Sequence, residues 1–151
     1  TRIGTGMADL VLGFDMVVAA GEGAVNSMSS NRTTAIINDH LVPLAVFAAK
    51  PDMPLSSDGY TDVIRARIGD KRAEFINATL LATRLMGDSI ATNIFLMGYA
   101  YQKGLIPLNA NSIIEAIKLN GVSVEANLRA FSWGRVAFAE SDQLEILVGE
   151  F

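Results

Sequence analysis

The segment Ala78–Pro107, ATLLATRLMGDSIATNIFLMGYAYQKGLIP, is the longest apolar stretch of the chain and limits its fold more than any other. A membrane span needs about 18 to 20 uninterrupted apolar residues. Arg84, Asp88 and Asn93 break this segment before any run reaches that length. Its one strong punctuation is Gly87-Asp88. Glycine suits the residue after a helix, and aspartate suits the cap of the next. The segment therefore predicts two helices meeting at Gly87-Asp88. The second, Ser89 to Lys103, is apolar nearly all round (Ile90, Ala91, Ile94, Phe95, Leu96, Met97), so it is expected to be buried on most sides. In a chain of 151 residues that burial suggests cover from a neighbouring domain. Asp88, Thr92 and Asn93 are polar residues on this helix. They either pair with carbonyls across helices or face an interface or cleft.

Upstream, Ala8 to Phe14 (ADLVLGF) reads as a buried strand, with Asp15 capping a helix over Met16–Met28 that Gly21 and Gly23 weaken and can split. Thr33 to Asn38 is a second, β-branched strand. Strand, helix, strand at this spacing is a βαβ unit with parallel strands. Prolines 43, 51 and 54 make Leu41–Leu55 a loop, with a short extended piece at Ala45–Ala49. Asp58 caps a helix to Ile68, and Ala73–Ile76 is a third strand. Downstream, Asn109 caps a helix to Leu119 that Asn120-Gly121 ends. Ser123 caps a last helix, with Glu125 and Arg129 paired at i, i+4. The expected fold class is α/β: a Rossmann-like three-layer parallel sheet, incomplete at its N-terminus, with a helical C-terminal part. The division runs 1–77 for the sheet, 78–140 for the helices and 141–151 for a tail, read as a terminal strand or a docking segment.

Parallel strands place their carboxyl ends on one edge, where open α/β sheets bind ligands. Asp15, Asn38, Asp39, His40 and Asn77 fall at that edge. His40 is the sole histidine, suited either to hydrogen bonding and proton handling or to an ordinary loop contact. Ligand-cleft or interface candidates are thus Asp15, Asn38, His40, Asn77, Asp88 and Asn93. No catalytic or metal-binding residue is assigned. Gly4-Thr5-Gly6 and Gly21-Glu22-Gly23 lack the spacing of a phosphate loop and read as turns. Gly87-Asp88 begins like a thiamin-site G-D-G motif, but Ser89 stands in third place after a helix, so a helix break is the better reading. Phe131, Trp133 and Phe138 read as core or part-core rather than interface anchors.

Composition removes other classes. A net charge of −4 without a basic cluster opposes nucleic-acid binding. The absence of cysteine excludes disulfides, thiolate catalysis and cysteine-ligated clusters within the chain, and with one histidine it leaves little for zinc. No signal peptide or membrane span is expected, so a cytoplasmic location is. The start at Thr1 suggests an excerpt of a longer polypeptide, or else processing.

Three segments carry a family likeness: ADLVLGFDMVVAA, AIINDHLVPLA, and NATLLATRLMGDSIATNIFLMGYAYQKGLIPLNANSIIEAIKLNGVSVEANLRAFSWGR. Together they resemble the γ-type domain of 2-oxoacid:ferredoxin oxidoreductases, above all the fused indolepyruvate enzymes, over roughly Gly4 to Ala139. The resemblance implies oxidative decarboxylation of an aryl pyruvate to an acyl-CoA, with electrons passed to ferredoxin. It implies thiamin diphosphate, Mg and iron–sulfur clusters held by other domains, against which this one packs. A homodimer is a further expectation for the helical part. The family's glycine-rich turn after its first strand has no counterpart here, so no ligand role of that turn carries over. A rival reading is a stand-alone binding module for an anionic small molecule, a nucleotide or CoA, at the sheet edge.

Overall fold

The computed structural model describes residues 3–41, 57–142, 144 and 149. The chain forms two compact units, Thr1–Asn77 and Ala78–Phe151.

In the first unit, β1 (Leu10–Gly13), β2 (Thr34–Asn38) and β3 (Ala73–Ile76) form a parallel sheet in the order β1-β2-β3. Leu12 pairs with Ile36, and Ile36 with Glu74, so β2 is the central strand. The alternation of side chains puts Val11, Ala35, Ile37, Ala73 and Phe75 on one face. There they pack with Met16, Ala19, Met28, Ile64 and Ile68. The last five come from α1 (Met16–Ala19), the exit of α2 (Glu22–Ser27) and α3 (Ser57–Ile68). The expected helix over 16–28 is split in two, with Gly21 in extended backbone as the cap of α2. Gly13 allows α1 to lie close on the sheet: a side chain there would meet the Ala19 Cβ at 2.8 Å. Asp58 lies in the first turn of α3, which begins one residue earlier than its expected cap position.

The N-terminal edge of the sheet is held by polar contacts. Thr33 is fully buried; its hydroxyl donates to Ala8 O at 2.6 Å and accepts from Ser29 N–H at 2.8 Å. Outside it, the Arg32 guanidinium grips Asp9 through two hydrogen bonds of 2.7 and 3.1 Å and holds the Asp9 carboxyl below its ordinary range.

The second unit is helical: α4 (Ala78–Met86), a 3-10 turn at Ser89–Ala91, α5 (Thr92–Gln102), α6 (Ala110–Asn120) and α7 (Val124–Ala139). Gly87, with φ +81°, ends α4, and the Asp88 carboxylate accepts Ile90 N–H at 2.9 Å, as the break predicts. Helical turns begin at Ser89, but α-helix begins only at Thr92. Asn109 caps α6 by accepting Ser112 N–H at 2.8 Å, and Gly121, in the left-handed region, stops it. Ser123 departs from expectation. It takes a left-handed φ of 44° and makes no side-chain cap; Asn127 instead donates from its side chain to Val122 O at 2.9 Å.

The burial of α5 has an internal cause. Phe95, Leu96 and Ala100 are fully buried, and α5 packs most extensively on α7. The approach is backbone to backbone. A Cβ on Gly98 would overlap the Phe131 carbonyl; one on Gly134 would overlap the Phe95 carbonyl and sit 2.9 Å from Tyr99 N. Cover from a neighbouring domain is therefore not required to account for α5. Around this contact Tyr99 meets Phe138 edge-on at 5.3 Å, and Phe131 joins Ile113 and Ile117 of α6 in a core. Trp133 and Phe138 are half-buried. Arg129, expected to pair with Glu125, lines a cavity of about 140 Å³ with Leu85, Met86 and Trp133. The expected extended piece at 45–49 and most of the tail lie outside the described residues.

Candidate functional site

The carboxyl edge of the sheet gathers the first group of candidates. The chain leaves β1 through Phe14 and Asp15, β2 through Asp39 and His40, and β3 through Asn77. Two bonds tie these exits together. The Asn38 side-chain amide, only 4% exposed, donates to Phe14 O at 3.1 Å. Asp39 N–H donates to Ile76 O at 3.1 Å, extending the ladder between β2 and β3 by one rung. The central strand is thus fastened on both sides at the point where it leaves the sheet, and Asp39 stands on a fixed backbone. Asn38 is a structural clamp: its amide faces the backbone of the neighbouring strand end.

Asp15 has a local task. Its carboxylate accepts Val18 N–H at 2.9 Å and caps α1, while the side chain stays exposed. His40 is exposed and Asn77 half-buried. Phe14 and Val18, exposed by 41% and 71%, add apolar surface to this edge.

Asp39 lies at the expected edge but is absent from the six ligand candidates, because its spacing signal is no different from that of His40 beside it. In the structure Asp39 is half-buried, and its Oδ1 is shielded from solvent with no hydrogen-bond partner. Burial raises its carboxyl above the ordinary range, while its own backbone N–H and the nearby His40 act against that shift. An unpaired buried polar atom costs about 1 to 3 kcal/mol, more for a charged group. Sheet edges are a common place for such a group to serve a ligand.

The second group lies in the helical unit. Asp88 and Asn93 are exposed, and of the three polar residues only Thr92 is buried. The Thr92 hydroxyl is satisfied by donating to Ser89 O at 2.6 Å. Beside Asp88, Ile90 is 84% exposed, so the corner between α4 and α5 presents both polar and apolar groups to solvent. The sheet edge belongs to the first unit and the Asp88 corner to the second.

Among the described residues no three His, Cys, Asp or Glu side chains converge in a way that could hold a metal ion. The Asp88 carboxylate caps the turn at Ser89–Ala91, in keeping with a helix break at Gly87-Asp88. No described helix is long and apolar enough to cross a membrane. No protein-family model, curated protein or solved structure matches the chain.

Proposed function

We propose that the chain is the γ-type domain of a thiamin diphosphate-dependent 2-oxoacid:ferredoxin oxidoreductase, acting on an aryl pyruvate such as indolepyruvate. The observation that carries this reading is the three-segment resemblance, whose long third part, Asn77–Arg135, runs from α4 through most of α7. Two features of the structure agree with it. The parallel sheet followed by a helical part is the arrangement the resemblance implies. The exposed corner at Asp88, Ile90 and Asn93 offers mixed polar and apolar surface to the thiamin-binding domains. In this reading the thiamin, Mg, iron–sulfur clusters and CoA are handled elsewhere in the enzyme, and the domain helps to enclose the site. When bound there, thiamin supplies the carbanion chemistry of decarboxylation; the residues described here contribute packing surface.

The test is co-expression with the thiamin-bearing and cluster-bearing polypeptides of the same source. The chain should copurify with them, and aryl-pyruvate-dependent reduction of a viologen dye should appear in the assembly and be absent from the chain alone. Turnover by the isolated chain would refute the division of labour. So would a source encoding no such polypeptides.

A second reading, a small-molecule binding module using the sheet edge, is favoured by the unpartnered Asp39 Oδ1. Saturable binding of a nucleotide or CoA to the chain alone, weakened in His40→Ala, would support it.

A further inference from the structure

Arg129 on α7 differs from the other described arginines. Arg32 and Arg65 pair with Asp9 and Asp70, and Arg67 and Arg72 donate to the backbone oxygens of Met28 and Arg32. Arg135 donates to the Gln102 side chain, and Arg84 is engaged as well. Arg129 alone has no hydrogen bond or ion pair among the described residues, and the expected pair with Glu125 is not formed.

Arg129 and Trp133, one turn apart on α7, are the wall shared by two cavities. The smaller, about 140 Å³, is bounded on its other side by Leu85 and Met86, the last two residues of α4. The larger, about 290 Å³, is a groove along α7 over Leu128, Ser132 and Val136. These three recur at i, i+4, i+8 and so form one line along the helix. The Ser132 hydroxyl is spent on Leu128 O at 2.9 Å, and Val136 is 38% exposed. The groove is therefore apolar along its length, with a cationic group at its head. Together the two cavities reach the size of a small-molecule site, about 300 Å³ or more.

The chemistry narrows the ligand. A guanidinium calls for an anion, and its planar fork matches the two oxygens of a carboxylate. A phosphate fits worse. Phosphate sites draw on backbone N–H groups at a helix N-terminus. The helix end at this cavity is the C-terminus of α4, whose free groups are carbonyls with partial negative charge. One arginine beside such an end suits a single negative charge, not two. The groove adds the demand for an apolar tail.

We propose that Arg129 and Trp133 hold a carboxylate carrying an apolar chain, of the size of a medium-chain fatty acid. Its head lies at the guanidinium in the smaller cavity, and its chain follows Leu128, Trp133 and Val136 along the groove. The site is confined to the helical unit and rests on neither reading above.

Trp133 is the sole tryptophan of the chain, so its fluorescence reports on this site directly. The probes are octanoate, hexanoate, acetate and octylammonium, added to the whole chain at neutral pH below micellar concentrations. Octanoate should change the emission saturably. The net charge of −4 would favour octylammonium in unspecific binding, whereas the local guanidinium should favour octanoate by about tenfold. Hexanoate should bind about fourfold more weakly than octanoate, since each half-buried CH₂ contributes about a factor of two, and acetate more weakly still. Arg129→Gln, at an exposed position, should remove the preference for the anion. Val136→Glu, which sets a carboxylate in the groove, should weaken octanoate binding by about tenfold through like-charge repulsion and loss of apolar surface. Equal affinity for octanoate and octylammonium in the unaltered chain overturns the proposal. So does acetate binding as tightly as octanoate, or octanoate affinity unchanged in Arg129→Gln. Absence of saturable binding by fluorescence and by calorimetry at millimolar octanoate overturns it too. None of these results touches the oxidoreductase or sheet-edge readings.

Discussion

The contact between α5 and α7 can be tested by adding a single methyl group. Gly134→Ala places a Cβ against the Phe95 carbonyl, 2.8 Å from its carbon and 2.9 Å from Tyr99 N, where ordinary contact begins at 3.4 Å. These obstacles are backbone atoms inside a helix, so no side-chain rotation relieves them. The helices must move apart, loosening Phe95, Phe131 and Ala100, all of them fully or almost fully buried. Overpacking of this kind costs about 1 to 3 kcal/mol, with the upper end apt for a rigid obstacle. Alanine returns about 1 kcal/mol through its helix propensity. The net expectation is a loss of about 2 kcal/mol, which lowers the melting temperature of a unit this small by roughly 8 to 16 °C. Gly98→Ala should behave alike, since its Cβ would meet Phe131 backbone atoms at 3.0 and 3.1 Å. The double variant should lose less than the sum, because the first substitution has already separated the helices. Gly23→Ala in α2 is the control: nothing lies within 4 Å of its Cβ, so a gain of about 0.4 to 1 kcal/mol is expected. Urea unfolding followed by circular dichroism measures all four. If Gly134→Ala proves neutral or stabilising like the control, the backbone approach of α5 and α7 is wrong.

Three further outcomes follow from the polar contacts. Asp39 has a raised carboxyl pKa in the folded chain. The folded state therefore holds this proton more tightly than the unfolded one, and the associated stability is present at acid pH and lost as pH rises through the folded value. The stability of Asp39→Asn relative to the unaltered chain should accordingly improve from acid to neutral pH in paired urea titrations; a difference independent of pH would refute the burial of this carboxyl. Asn38→Ala leaves Phe14 O without this donor at a part-buried position and should cost about 1 kcal/mol in the same assay. Asn109→Ala removes the cap on Ser112 N–H and should cost about 0.5 to 2 kcal/mol, with Asn109→Asp recovering most of it.

How much was legible in the sequence follows the range of the interactions. The breaks at Gly87-Asp88 and Gly121 and the cap at Asn109 were readable because glycine backbone freedom and side-chain capping act within four residues. The three strands were readable from β-branched and apolar runs, and their parallel order from the spacing of the βαβ unit. Ser123 escaped the same logic. Its identity fits a cap, but the chain turns through left-handed backbone there and Asn127 serves the turn instead. In the candidate site, the placement of Asp15, Asn38, His40 and Asn77 at one edge was legible, because parallel strands have only one carboxyl edge. Their separate tasks were not. Asn38 became a clamp on Phe14 O only once β1 lay beside β2.

By itself, then, the sequence determined most of the local units: which stretches form strands and helices, where α4 and α6 stop, and that the strands run parallel. Those features depend on propensity, capping and periodicity, which are properties of short stretches. Tertiary structure alone decided two matters. It showed that the apolar helix over Thr92–Gln102 is covered within its own unit, because Gly98 and Gly134, remote in sequence, let two backbones touch. It also singled out Asp39 as a shielded, perturbed carboxyl at the sheet edge, because desolvation depends on what the fold packs around a carboxylate. The segment Ala78–Pro107 is thus a pair of helices whose burial is set by a contact with residues well beyond its own end.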